Sequence, residues 1–155
     1  MKETPQMKVI KENMKPGVIS LNGFLGEDSR TLEDIILKDQ GTVRRLGLTH
    51  KDIAAKMQYF KDEGRKGLGD FVSIEPHFEV QTQSVRGKMP CPFGHPGIIQ
   101  KLNITVRNKE IGEEITFTEM NIHMIDEHGF YEGKGSLFRI DPTVISRVLE
   151  ISSTE

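Results

Sequence analysis

Apolar positions along this chain change their period twice, from helical to alternating and back again. After Asp28 or Ser29, either of which can cap a helix, Leu32, Ile35 and Ile36 share one helical face. Glu33 and Asp34 suit the positive amino end of that helix, and Gly41 is its expected stop. Thr49 opens a second helix with Asp52 at the reciprocal capping position; Ile53, Met57 and Phe60 form the face to be buried, and Gly64 ends the run. From Phe71 the pattern alternates, which predicts strands around Phe71 to Ile74 and from His77 to Val85. Leu102, Ile104 and Val106 then alternate with Lys101, Asn103, Thr105 and Arg107, as in a strand with one wet face. Asn108 to Gly112 reads as a turn, after which Ile115 to Asp126, rich in Ile, Thr and Phe, is expected to return antiparallel. Glu127-His-Gly129 reads as a tight turn and Ser136 to Ile140 as a last strand. Asp141-Pro142 then starts a closing helix bearing Val144, Ile145 and Val148. Near the beginning, Val18 to Leu21 reads as a short strand, and residues 1–15, charged and aperiodic, as a loosely ordered arm.

These elements predict one α+β domain over residues 16–155: an antiparallel or mixed sheet of four to six strands, two helices before it and one at the carboxyl end. A length of 155 residues suits a single core. Exposed strand edges and the amino-terminal arm make a homodimer an expectation. The formal charge of −2 argues against a molecule built as a whole for nucleic acid or an anionic membrane. Charge is nevertheless uneven, since Gly41 to Lys66 carries seven cationic side chains against Asp52, Asp62 and Glu63. No apolar run is long enough to cross a bilayer, and Met1-Lys-Glu-Thr-Pro-Gln lacks a secretory stretch, so a cytoplasmic location is the default expectation. A single cysteine rules out an internal disulfide, in keeping with a reducing compartment.

Candidate chemistry gathers in two short stretches, Cys91-Pro-Phe-Gly-His95 and His123-Met-Ile-Asp-Glu-His128. Prolines 90, 92 and 96 stiffen the first, which suits the wall of a site, although Cys91 and Phe93 would serve equally as core plugs in a connecting loop. Cys91, His95, His123 and His128 have the softness for tetrahedral zinc. Against that, five residues along a continuous strand would send His123 and His128 to opposite faces. A metal-free alternative places Glu119, Asn121 and His123 on one strand face, with Glu119 and His123 as an acid–base pair; the competing reading is that this face is simply solvated. Cys91 as a nucleophile with His95 as its base lacks a visible activating cation or helix amino end.

Gly129-Phe-Tyr-Glu-Gly-Lys-Gly-Ser136 has one residue too few for a nucleoside-triphosphate loop, although Lys134 and Arg139 remain candidates to hold a carboxylate or phosphate. Leu46 to Met57 resembles the turn and second helix of a helix-turn-helix, so the segment near 42–66 carries a DNA-binding alternative through Lys51, Lys56, Gln58, Lys61, Arg65 and Lys66. The functional expectation is a small-molecule site with residues suited to catalysis. Its walls would be the Cys91–His95 loop, the Glu119/Asn121/His123 face and the His128–Arg139 loop. A structural or assembly protein without a small ligand is the third alternative.

Overall fold

The structure, a computed structural model, describes residues 4–19 and 22–152. Within them α1 (Pro5–Asn13), α2 (Leu32–Arg45) and α3 (His50–Arg65) precede the strands β1 (Val72–Ile74), β2 (Phe78–Pro90), β3 (Ile98–Asn108) and β4 (Glu113–Thr118). Two further helices follow, α4 (Glu119–His128) and α5 (Pro142–Val148). The strands pair in chain order, every pair antiparallel, so the fold is α+β as the pattern predicts. No helix among the described residues is long and apolar enough to cross a membrane.

Local chemistry decides most boundaries. The Thr4 side chain accepts the Met7 N–H at 3.1 Å and Pro5 opens α1, so the stretch read as an arm carries a helix. Asn13 at its end donates from Nδ2 to the Pro92 carbonyl at 3.1 Å, which ties the amino terminus to the Cys91 loop. Val18 and Ile19 lie in turn and bend rather than strand, while Ser20 and Leu21 fall outside the described residues. Thr31, not Asp28 or Ser29, caps α2, because Asp28 is bound to the Arg30 side chain and N–H. Gly41 does not stop that helix; burial of Val43 one turn beyond Asp39 carries it to Arg45. The reciprocal Thr49/Asp52 cap of α3 and the burial of Ile53, Met57 and Phe60 match expectation. Gly64 has a packing reason as well: a Cβ there would sit 2.9 Å from Thr82 Cγ2, so glycine lets α3 approach the sheet.

The largest departure from the sequence reading begins at Thr118. Its side chain accepts the Asn121 N–H at 3.0 Å while Asn121 Oδ1 accepts the Thr118 N–H at 2.9 Å, a reciprocal cap that converts the expected strand into α4. Gly129, at φ +61°, ends the helix in the left-handed conformation that glycine adopts without strain. Glu119, Asn121 and His123 therefore do not share a strand face. Ser136 to Ile140, expected as a strand, forms irregular turns shaped by the Ser136–Glu132 and Arg139–Asp39 contacts. Asp141 caps α5 as predicted, accepting the Thr143 N–H at 2.8 Å.

Two apolar clusters fix α4. Ile122 and Ile125 enter the main core, with α3 and the inner sheet face of Val80, Ile104, Val106 and Phe117. Met120 and Met124 enter a second cluster with Met14, Phe24, Leu32, Ile35 and Phe130. Each such side chain contributes about 1.5–3 kcal/mol when fully buried, so the helix has little freedom to rotate between its two cores.

Candidate metal centre

The β2–β3 hairpin delivers the Cys91 loop to α4. Between the pairs Ser84–Leu102 and Lys88–Gln100 the register shifts, with Val85, Arg86 and Gly87 of β2 facing Lys101 alone. Such a bulge bends the ribbon, and Gly87 at φ +117° supplies the unusual backbone. At the hairpin tip the Gly94 N–H donates to the Cys91 carbonyl at 3.0 Å, closing a tight turn.

Sulfur and imidazoles meet there. Cys91 is buried, His123 and His128 are half-buried, and one ligand atom from each lies within 4.8 Å of the others. Cys91 Sγ is 3.5 Å from His128 Nε2. The His128 ring stacks on Phe93 at 4.1 Å between centroids with 8° between planes, which sets its orientation. Phe93 in turn packs edge-on against Phe130 of the second cluster. His95 is exposed at the mouth, its ring 4.9 Å from His123 and 5.8 Å from His128, outside the group whose ligand atoms lie closest. His123 Nε2 is buried without a hydrogen-bond partner among the described residues, a condition that costs about 1–3 kcal/mol for a polar atom.

The electrostatics fit metal ligands. Burial holds the His123 and His128 pKa values below the usual histidine range, and the neighbouring imidazoles add to the effect, so both rings are neutral with lone pairs available. Burial pushes the Cys91 thiol up, opposed by the backbone N–H groups of Phe93 and His95 directed at its sulfur. Those N–H groups would stabilise a thiolate once a cation sits beside it.

The other candidates distribute differently. Glu119 lines an open cleft of about 350 Å³ with His123, Gln58, Gln100 and Asp126, but its carboxylate accepts from the buried Lys61 ammonium at 2.6 Å. Asn121 turns away from the Cys/His cluster, donating from Nδ2 to Glu132 at 2.9 Å and to the Phe138 carbonyl at 3.3 Å. Lys134 and Arg139 line a separate cleft of about 280 Å³ beside α2, where Arg139 forks onto Asp39. Of the cations in the helix-turn-helix reading, Lys51 pairs with Asp126, Lys61 with Glu119 and Lys66 with Glu63. A second group of metal-type ligands, His77 with Glu110 and Glu150, lies at the sheet's opposite end on largely exposed carboxylates.

Sequence reasoning missed Glu132. It is 3% exposed and at φ +69°, with Oε1 accepting from Ser136 Oγ at 2.6 Å and Oε2 from Asn121 Nδ2. Burial raises its pKa to about 7, only partly offset by those hydrogen bonds. A carboxyl raised in the folded state stabilises the fold below its unfolded value near 4.5, and that contribution is lost as pH rises toward 7. Across that window Glu132 should cost about 3 kcal/mol of stability, and the isosteric Glu132→Gln variant should lack this part of the slope. Urea midpoints of both proteins across the window check it; parallel pH profiles would show that Glu132 does not titrate as described.

Comparison with protein families, curated proteins and solved structures gives no match. Fold and site define an α+β chain in which a hairpin loop and a capped helix bring one cysteine and three histidines together.

Proposed function

We propose that this chain binds one transition-metal ion, of the zinc type, through Cys91, His123 and His128, and that the open side of the ion receives a small molecule. The convergence of a thiol and two imidazoles within 4.8 Å, from elements far apart in sequence, supports this reading most directly. In tetrahedral zinc, bonds of about 2.3 Å to sulfur and 2.0–2.1 Å to nitrogen set those two atoms about 3.5 Å apart. Cys91 Sγ and His128 Nε2 already stand at 3.5 Å. Coordination would also give the buried His123 Nε2 a partner.

Three protein ligands with an open fourth position are the arrangement of metal sites that act on small molecules. His95 stands at the mouth, where it can move a proton or close the fourth position, and the cleft beside His123 supplies Gln58, Gln100 and the Lys61-bound Glu119 to orient a polar ligand. An ion here would act as a Lewis acid toward a bound oxygen or lower the pKa of a bound water.

Elemental analysis of protein purified without a histidine tag should find about one zinc-type ion per chain, or tight uptake of one equivalent after chelation. No retained metal and no tight uptake by folded protein would overturn the reading. Because the histidines are already neutral and the Cys91 thiol is protonated, binding near neutral pH should release about one proton, so affinity rises with pH. Calorimetry in buffers of differing ionisation enthalpy measures that number; zero release would mean that the thiol is not a ligand.

A further inference from the structure

We infer that the cavity beneath the bulged β2–β3 hairpin is a second binding site, for a small monoamine whose ammonium is received by Glu132 and whose apolar body lies against Phe24, Leu102 and Met120. The cavity measures about 220 Å³ and its wall is mostly apolar. That is below the roughly 300–1,000 Å³ usual for drug-sized ligands, which excludes nucleotides and favours a single ring or a short aliphatic chain. Leu137 and Val85 stand exposed on its lining at 67% and 44%, apolar surface left to water beside an apolar hollow.

Glu132 is the polar anchor of this cavity. Its hydrogen-bond partners among the described residues are donors: Ser136 Oγ and Asn121 Nδ2 to the carboxyl, Arg139 Nη1 to the backbone carbonyl at 2.8 Å. A group surrounded by donors is arranged to accept, and a ligand that donates is its natural complement. Arg139 directs its fork to Asp39, and Glu132 forms no ion pair among the described residues. Lys101 also lines the cavity, but its side chain from Cδ to the ammonium lies beside Gly87 at the bulge, a residue outside the lining. Arg139 favours the Glu132 carboxylate only through space, with its fork on Asp39, so a ligand cation would be the direct counter-charge at this carboxyl. The left-handed backbone at Glu132 is a conformation that side chains rarely adopt and that recurs at ligand sites.

This cavity shares Gln100 with the cleft beside His123, yet it holds none of the Cys/His ligands, so the inference stands apart from the metal reading. Benzylammonium is a suitable probe, with benzyl alcohol and benzoate as its neutral and anionic counterparts, observed by saturable amide shifts in NMR titrations. Slightly above neutral pH, benzylammonium should bind about tenfold or more tightly than either counterpart, and Glu132→Gln should remove that preference. Val85→Trp, at an exposed position, should narrow the mouth and weaken binding without threatening the fold. Absence of saturable shifts, equal binding of benzyl alcohol or benzoate, or an unchanged preference in folded Glu132→Gln protein would each overturn the inference.

Discussion

Cys91→Ala and His123→Ala, each alone, are expected to weaken zinc binding by about two orders of magnitude or more. Structural zinc sites bind with about 10–16 kcal/mol in all, so each ligand accounts for several kcal/mol, and every 1.4 kcal/mol is a factor of ten. Neither variant should unfold the protein, because Cys91 lies at a hairpin tip and His123 is only half-buried on a helix held by four other side chains. His95→Ala separates two forms of the account. With His95 outside the inner group, its loss should change affinity by less than about tenfold; a loss equal to that of Cys91→Ala would make it a fourth ligand. Competition against a chromophoric chelator measures all three. Phe93→Ala, which removes the ring stacked on His128, should fall between them because it loosens a ligand without deleting one.

Asp39→Ala is expected to destabilise the fold by about 3 kcal/mol, the largest single effect outside the apolar cores. Asp39 is buried on α2, and its two oxygens accept the Arg139 fork, Oδ1 at 2.8 Å and Oδ2 at 2.5 Å. Arg139 Nη1 also donates to the Glu132 carbonyl, so one side chain ties the 130–140 loop to α2. Removing Asp39 leaves a largely buried guanidinium without its counter-charge, and breaking such a pair costs several kcal/mol. The double variant Asp39→Leu/Arg139→Met should recover much of the loss, because it leaves neither charge stranded. Urea unfolding of the two single variants and the double variant gives the coupling; simple additivity would contradict this account of the pair.

How far the sequence was readable depends on which signals were local. The Thr49/Asp52 cap, the four-and-three spacing of Ile53, Met57 and Phe60, and the alternation through Leu102, Ile104 and Val106 act over a few residues, and the structure matches them. Thr118 was also a local signal but a disguised one. Asn121 stands where a capping box usually has Glu or Gln, and the Ile, Thr and Phe of β4 run into it without a break. Reading on as strand put His123 and His128 on opposite faces. On a helix the same five residues rise about 7.5 Å, and the two rings stand 5.5 Å apart between centroids.

The remaining differences arise from long-range contacts that no short window contains. Nothing near Arg139 in sequence indicates that Asp39, one hundred positions earlier, takes its fork and removes it from the Cys/His cluster. Nothing near Glu132 indicates that Asn121 turns inward to meet it. The sequence thus nominated the cysteine and three histidines, whereas in the fold Asn121 bonds Glu132 and the Phe138 carbonyl, Arg139 bonds Asp39, and Lys134 lines the cleft beside α2.

Cobalt substitution reads the ligand set itself, because Co(II) takes zinc's place and reports its own ligands. Titrating Co(II) into metal-free protein should produce a thiolate-to-cobalt charge-transfer band and the intense visible bands of four-coordinate cobalt. These should saturate at about one equivalent and disappear on adding zinc. The charge-transfer band should be lost in Cys91→Ala. Weak bands of octahedral aqueous cobalt, unchanged by the protein or by Cys91→Ala, would contradict a metal centre built on Cys91, His123 and His128.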